Sequence, residues 1–100
     1  MAKIKWTFRA QLQLDQIYEY HYQTSERYAE KLIDKIIERV ELLEKFPEMG
    51  RKVLEMQDEF IREILVLNYR VGYIYIPGED IQIITVRHSS LPHGTHESDN

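Results

Sequence analysis

The 100-residue chain has no cysteine, only four glycines and three prolines, and no excess of positive charge. Without thiols, neither a disulfide nor a thiolate zinc site can hold so small a fold together, so side-chain packing must do it. A reducing cytoplasm is the expected compartment. No apolar stretch approaches the roughly 20 residues that a membrane helix needs, and Met1-Ala2-Lys3-Ile4-Lys5 lacks the apolar run of a signal peptide. No membrane partner is expected. Thirteen Lys and Arg stand against 17 Asp and Glu, a formal net charge of -4. That balance opposes non-specific binding to nucleic acid, so any such contact must be local. Glycine-rich phosphate loops and serine or cysteine triads are missing. His88, His93 and His96 lack a cysteine or a paired carboxylate at zinc spacing, and no metal or other cofactor is expected.

What is present suits one folded domain. Apolar residues make up 43% and charged residues 30% of the chain, and a chain of this length buries roughly two thirds of the surface it exposes when unfolded. Lys3-Ile4-Lys5-Trp6-Thr7 is rich in strand formers and predicts a first strand. From Ala10, the recurrence of Leu14, Ile17, Tyr18 and His21 at three and four residues predicts a helix to about Tyr22, with Leu12 and Tyr20 off its apolar stripe. Gln23-Thr24-Ser25 breaks it and supplies a capping hydroxyl, and Glu26 favours the next helix dipole. Tyr28, Ala29, Leu32, Ile33, Ile36, Ile37, Val40, Leu43 and Phe46 then form a nearly unbroken stripe, ended by Pro47 and Gly50. A short connection makes the two helices antiparallel neighbours. Arg51-Lys52-Val53-Leu54 reads as a short strand, 55–59 as a loop and 60–67 as the start of a strand system. The expected fold is α+β: an N-terminal strand, a helical hairpin covering one sheet face, and an antiparallel β-meander. Residues 1–90 form the domain, and 91–100, with little to bury, form a flexible tail.

Arginines punctuate the meander. Val71, Tyr73 and Tyr75 alternate with Arg70, Gly72 and Ile74, while Ile84 and Val86 alternate with Ile83, Thr85 and Arg87. If Ile76 pairs with Ile81 across Pro77-Gly78-Glu79-Asp80, Arg70 falls opposite Arg87. If Pro77 and Gly78 are the central turn residues, the register shifts by two and both arginines keep one face; only a bulge would separate them. Gly72 is expected to leave room between the two cations, and His88 to close the strand end.

The strand, helical hairpin and antiparallel sheet are joined by more specific markers. These are Trp6, Ala10-x3-Leu14-x2-Ile17, Phe46-Pro47-x2-Gly50-x2-Val53, Arg62-Glu63-Ile64, Tyr69-Arg70-Val71-x-Tyr73 and Val86-x-His88. In this order and spacing, over about residues 3–90, they resemble the RelE/ParE superfamily of toxins from type II toxin-antitoxin modules. The resemblance implies a small toxin neutralised by a cognate antitoxin whose C-terminal segment wraps it. Two activities occur on this fold: ribosome-dependent cleavage of mRNA in RelE-like members, and poisoning of DNA gyrase in ParE-like members. Fold alone does not choose between them.

A ribonuclease of this kind needs a base, an acid and cations on the phosphate. His88 is a candidate acid or base, Glu63 a candidate base, and Arg70 matches the arginine of the RelE-type Tyr-Arg strand. Ribonuclease members carry more arginine, lysine or tyrosine just past the last strand, where this chain has Ser89, Ser90, Leu91 and Pro92. A gyrase poison needs only a binding surface, for which Arg51, Lys52, Arg62, Arg70 and Arg87 are the candidates, and that reading is the better supported one. Each residue also has a plainer role. Arg62 and Glu63 point to opposite strand faces and can serve as a surface cation and a salt-bridge partner. Arg70 can pair with Asp34 or Glu38, His88 can be a structural hydrogen-bonded residue, and Tyr69, Tyr73 and Tyr75 can be core with hydroxyls at its edge.

Overall fold

The computed structural model describes residues 2–91. Strand β1 (Ile4–Trp6) leads into helix α1 (Phe8–Tyr22), and the chain returns through α2 (Glu26–Glu41). There follow β2 (Arg51–Lys52), β3 (Ile61–Val66), β4 (Tyr69–Ile74) and β5 (Ile81–His88). They form a five-stranded sheet in the order β1-β5-β4-β3-β2. The meander β3-β4-β5 is antiparallel, β2 joins β3 antiparallel, and β1 joins β5 in parallel, so the sheet is mixed. The expected α+β architecture is present.

Thr7 is where strand becomes helix. Its backbone N–H and its hydroxyl both donate to the Ile83 carbonyl, and the same hydroxyl accepts from the Ala10 N–H as the α1 cap. The helix therefore begins at Phe8 rather than at Ala10, because the cap and not the apolar stripe sets its start. Ser25 caps α2 by accepting from the Tyr28 N–H, with Glu26 in the first turn as expected. The stripe of α2 outlasts its helix: the chain tightens to a 3-10 turn over Leu42–Glu44, which brings Leu43 into the core but leaves Phe46 exposed. Tyr28, at the other end, is also exposed.

Ala10 and Leu14 of α1 and Leu32, Ile36 and Val40 of α2 pack on Ile64, Val66, Val71, Tyr73, Ile83 and Val86 of the sheet. Only Arg51 and Lys52 of the expected 51–54 strand pair with β3; Val53 turns into the core and Leu54–Met56 form a second 3-10 turn. Val66 and Tyr69 are cross-strand partners, so Leu67 and Asn68 make a two-residue hairpin turn in which Leu67 takes φ of 55°. Pro77 and Gly78 occupy the centre of the next turn, where Glu79 N–H donates to Ile76 C=O and Gly78 takes φ of 90°, the left-handed region that favours glycine.

The register of β4 and β5 departs from simple alternation. Ile74 faces Gln82 and Tyr73 faces Ile83, but Gly72 faces Thr85, so Ile84 is an extra residue in a β-bulge. Ile83 consequently shares the core face with Val86, whereas strict alternation put it with Thr85 and Arg87. The bulge lies on the turn side of the arginines and leaves Arg70 directly opposite Arg87.

Candidate functional site

Alternation from the core-facing residues defines the opposite face of the sheet, which carries no helix among the described residues. Tyr69, Val71, Ile64, Val66 and Val86 point to the helices, so their neighbours Leu65, Arg70 and Arg87 point away and form one rung across three strands. Arg70 and Arg87 are half-buried, with the Nε of each shielded from solvent, while Leu65 is exposed. The next rung holds Glu63, Gly72 and Thr85, with Arg51 on β2 opposite Glu63. Glu63 is only 4% exposed and accepts a hydrogen bond from the Arg51 guanidinium, a buried carboxylate matched to a cation whose own side chain is half in solvent. The space expected above Gly72 is filled: a Cβ there would lie 2.7 Å from the Thr85 methyl carbon. No gap separates the two rungs.

The remaining candidates lie elsewhere. Arg62 falls on the helix side, where its guanidinium donates to Gly50 C=O at 2.7 Å and Glu48 C=O at 3.1 Å, and so clamps the loop before β2. Lys52, its cross-strand partner, is exposed at the sheet edge. The clamp is shared with Tyr73, which donates to Pro47 C=O at 2.8 Å and accepts from Gly50 N–H at 3.0 Å. Burial pushes the Tyr73 phenol above its ordinary value, outweighing the Gly50 hydrogen bond and the Arg62 charge that lower it. Folding therefore favours the protonated phenol. The stability this adds is complete below the unfolded tyrosine value of about 10 and is lost as pH rises through the folded one. Urea titrations of the wild type and Tyr73→Phe should accordingly converge in stability as pH is raised past about 10; a difference independent of pH would refute the coupling.

His88 stands opposite Tyr69 on the helix side, with ring centroids 5.4 Å apart, and not on the arginine face. Its Nδ1 accepts the Ser90 N–H at 3.1 Å and lies 2.8 Å from the Ser90 hydroxyl, which fixes the turn that ends β5. Behind it, Tyr69 and His21 Nε2 are hydrogen-bonded at 2.8 Å. His88 thus makes local hydrogen bonds with Ser90 at the end of β5. Glu63 and Arg70 share a face, but His88 does not join them. Arg51, Arg70 and Arg87 share that face, but Arg62 and Lys52 do not. Arg70 points away from α2, the helix that carries Asp34 and Glu38. Tyr69 and Tyr73 are buried and Tyr75 packs against the core, as their spacing indicates.

One feature escaped sequence reasoning. Gln13 of α1 uses its Oε1 to accept the Val86 N–H at 2.8 Å and the Thr85 hydroxyl at 3.1 Å, covering the β5 edge where β1 has ended. Its signal is a lone glutamine on an amphipathic helix, indistinguishable from a solvated one. An apolar groove between a sheet edge and the helices is what amphipathic Leu32 to Phe46 and an open edge strand lead one to expect, and a groove lined by Arg39, Met49, Arg51, Glu63, Ile64 and Leu65 is present. Among the described residues, β2 pairs only with Arg62 and Glu63, which leaves the outer edge of β3 from Ile64 onward without a neighbouring strand. Among the described residues, no three His, Asp or Glu side chains gather as a metal site requires, and no helix is long and apolar enough to cross a membrane. His93 and His96, and nearly all of the expected tail, lie outside the described residues.

The described residues thus form a mixed sheet with a helical hairpin on one face and guanidinium groups on the other. A family profile described as "ParE toxin of type II toxin-antitoxin system, parDE" matches residues 4–91, and the chain belongs to that family. Among solved structures, one described as "Chromosomal ParDE TA system from P. aeruginosa" is similar in fold. Its TM-score is 0.73 at 23% identity, covering 88% of this chain and 96% of that one. No curated relative matches the chain. Membership of a toxin-antitoxin family implies an antitoxin partner.

Proposed function

We propose that this ParE-family toxin acts on DNA gyrase through the helix-free sheet face, and that its antitoxin occupies the groove along the open edge of β3. The observation that carries the first part is the division of the ribonuclease candidates between two faces. Glu63 is held by Arg51 and His88 is engaged by Ser90 on the other side, so no acid-base pair flanks Arg70. A surface that binds and stabilises one state of a protein cycle makes no such demand. The groove supports the second part, because an unpaired strand edge beside apolar Met49, Ile64 and Leu65 suits an added extended segment.

Supercoiling by purified gyrase should fall as the toxin is added and recover when its antitoxin is present. Ribosome-bound mRNA should remain uncut under the same conditions. Codon-positioned cleavage with supercoiling unchanged would reverse the assignment in favour of a RelE-like ribonuclease.

A further inference from the structure

In the groove along the β3 edge, Arg51 has its carboxylate and Arg39 has none among the described residues. The positions three and four residues from Arg39 are Lys35, Ile36, Leu42 and Leu43, so its own helix and the turn that follows offer it no acid. The carboxylate that lines the groove, Glu63, is held by Arg51. A cation in the last turn of α2 suits the helix dipole, but that leaves the guanidinium N–H groups to water.

The backbone beside Arg39 is open as well. Ile61 C=O accepts from Val53 N–H on the β2 side of β3, and alternate residues of a strand repeat that direction, so Leu65 turns its own N–H and C=O the same way. β2 has ended by that point, and the outer side of Leu65 has no strand among the described residues. The Leu65 side chain is exposed on the face away from the helices, whereas its neighbour Ile64 packs on the helix side, where α2 carries Arg39.

We propose that the groove takes an extended polypeptide strand in which an acidic residue stands next to an apolar one, the acid meeting Arg39 and the apolar side chain covering Leu65. The strand is a segment of the antitoxin, and in this the proposal rests on the reading of the groove given above. The order of side chains follows from pleating. A residue that exchanges hydrogen bonds with Leu65 shares its face and projects beside it, while the adjoining residues of the added strand project to the helix side, toward Arg39. There a carboxylate and the guanidinium form a charge-assisted pair, strengthened by the apolar flanks of Met49 and Ile64. A second copy of this chain fits less well, because its own β3 edge brings another Arg39 and a carboxylate already engaged.

The test uses the full chain and two short peptides, one alternating leucine with glutamate and the other leucine with glutamine. Binding of the glutamate peptide should protect the Leu65 N–H from hydrogen exchange and shift the Nε–Hε resonance of Arg39. The glutamine peptide should bind more weakly by about tenfold or more, the loss of a charge-assisted hydrogen bond, and Arg39→Gln should make the two peptides equal. Equal binding of both peptides to the wild type, an undiminished preference for glutamate in Arg39→Gln, or a Leu65 amide and an Arg39 resonance that respond to neither peptide would overturn the proposal. The cognate antitoxin separates this site from the reading beneath it. If the antitoxin protects Leu65 but binds Arg39→Gln as tightly as the wild type, the acidic contact is overturned and the groove reading stands. If it binds and leaves Leu65 exchanging freely while the glutamate peptide behaves as expected, the groove reading falls and the strand site stands.

Discussion

Gly50→Ala should destabilise the domain by about 3 kcal/mol or more, the range of substitutions that force atoms into a filled interior. A Cβ at this position would lie 2.5 Å from the Tyr73 hydroxyl, 2.8 Å from Tyr73 Cε1 and 2.7 Å from the Glu63 carbonyl oxygen. Neither neighbour can withdraw cheaply. Tyr73 is fully buried and its hydroxyl is held between Pro47 C=O and Gly50 N–H, and Glu63 C=O belongs to the backbone of β3. Relief would require moving the loop that Arg62 clamps, and with it β2. The measurement is the urea midpoint, or a melting temperature expected to drop by more than about 10 °C, at 4–8 °C per kcal/mol for a domain of this size. Adding Tyr73→Phe should recover only part of the loss, since it removes the hydroxyl contact but leaves the ring and the carbonyl. A wild-type midpoint in Gly50→Ala would show that the loop is not packed as described.

The second large effect is expected from Arg51→Ala, at about 2–3 kcal/mol. Removing one partner of a buried ion pair typically costs 3–5 kcal/mol because the other charge stays buried; here Arg51 itself is 56% exposed, and water screens part of the interaction. Glu63, by contrast, is almost fully enclosed, so its carboxylate keeps its desolvation cost after the guanidinium is gone. Substituting both residues, Arg51→Ala with Glu63→Leu, should therefore be less damaging than the single change, and a thermodynamic cycle should return a coupling on the order of 1–2 kcal/mol. Equal losses in the single and double variants would mean that the pair is held by something other than charge.

Much of the architecture was legible in periodicity because packing and pattern agree there. The α2 stripe from Ala29 to Val40 sits on the core as its spacing indicates, and Ser25 caps it as its hydroxyl suggests. Agreement ended wherever a single local contact overrode the pattern. Thr7 began α1 early because its hydroxyl serves two partners at once. The bulge at Ile84 put Ile81, Ile83 and Val86 on one face, an arrangement that strict alternation forbids. The arginines share a face in either register expected from the sequence, but in the structure it is the bulge that sets them opposite each other, since the pairing of Tyr73 with Ile83 continued unbulged would put Arg70 against Val86. The placement of His88 was not followed through, although its parity with Val86 already set it opposite Arg87. Burial of Glu63 was hidden too, because it depends on a two-residue strand docking beside β3.

Among the described residues, the last strand in chain order is an interior one. With β5 lying between β1 and β4, a nascent chain that has not yet emerged through His88 has no partner for its first strand and an unpaired side on β4. The pairings of Ile4 with Ile81 and Trp6 with Ile83 close only once β5 has been made, and closing such distant contacts is slow. A product truncated before β5 accordingly lacks the strand that joins β1 to β4.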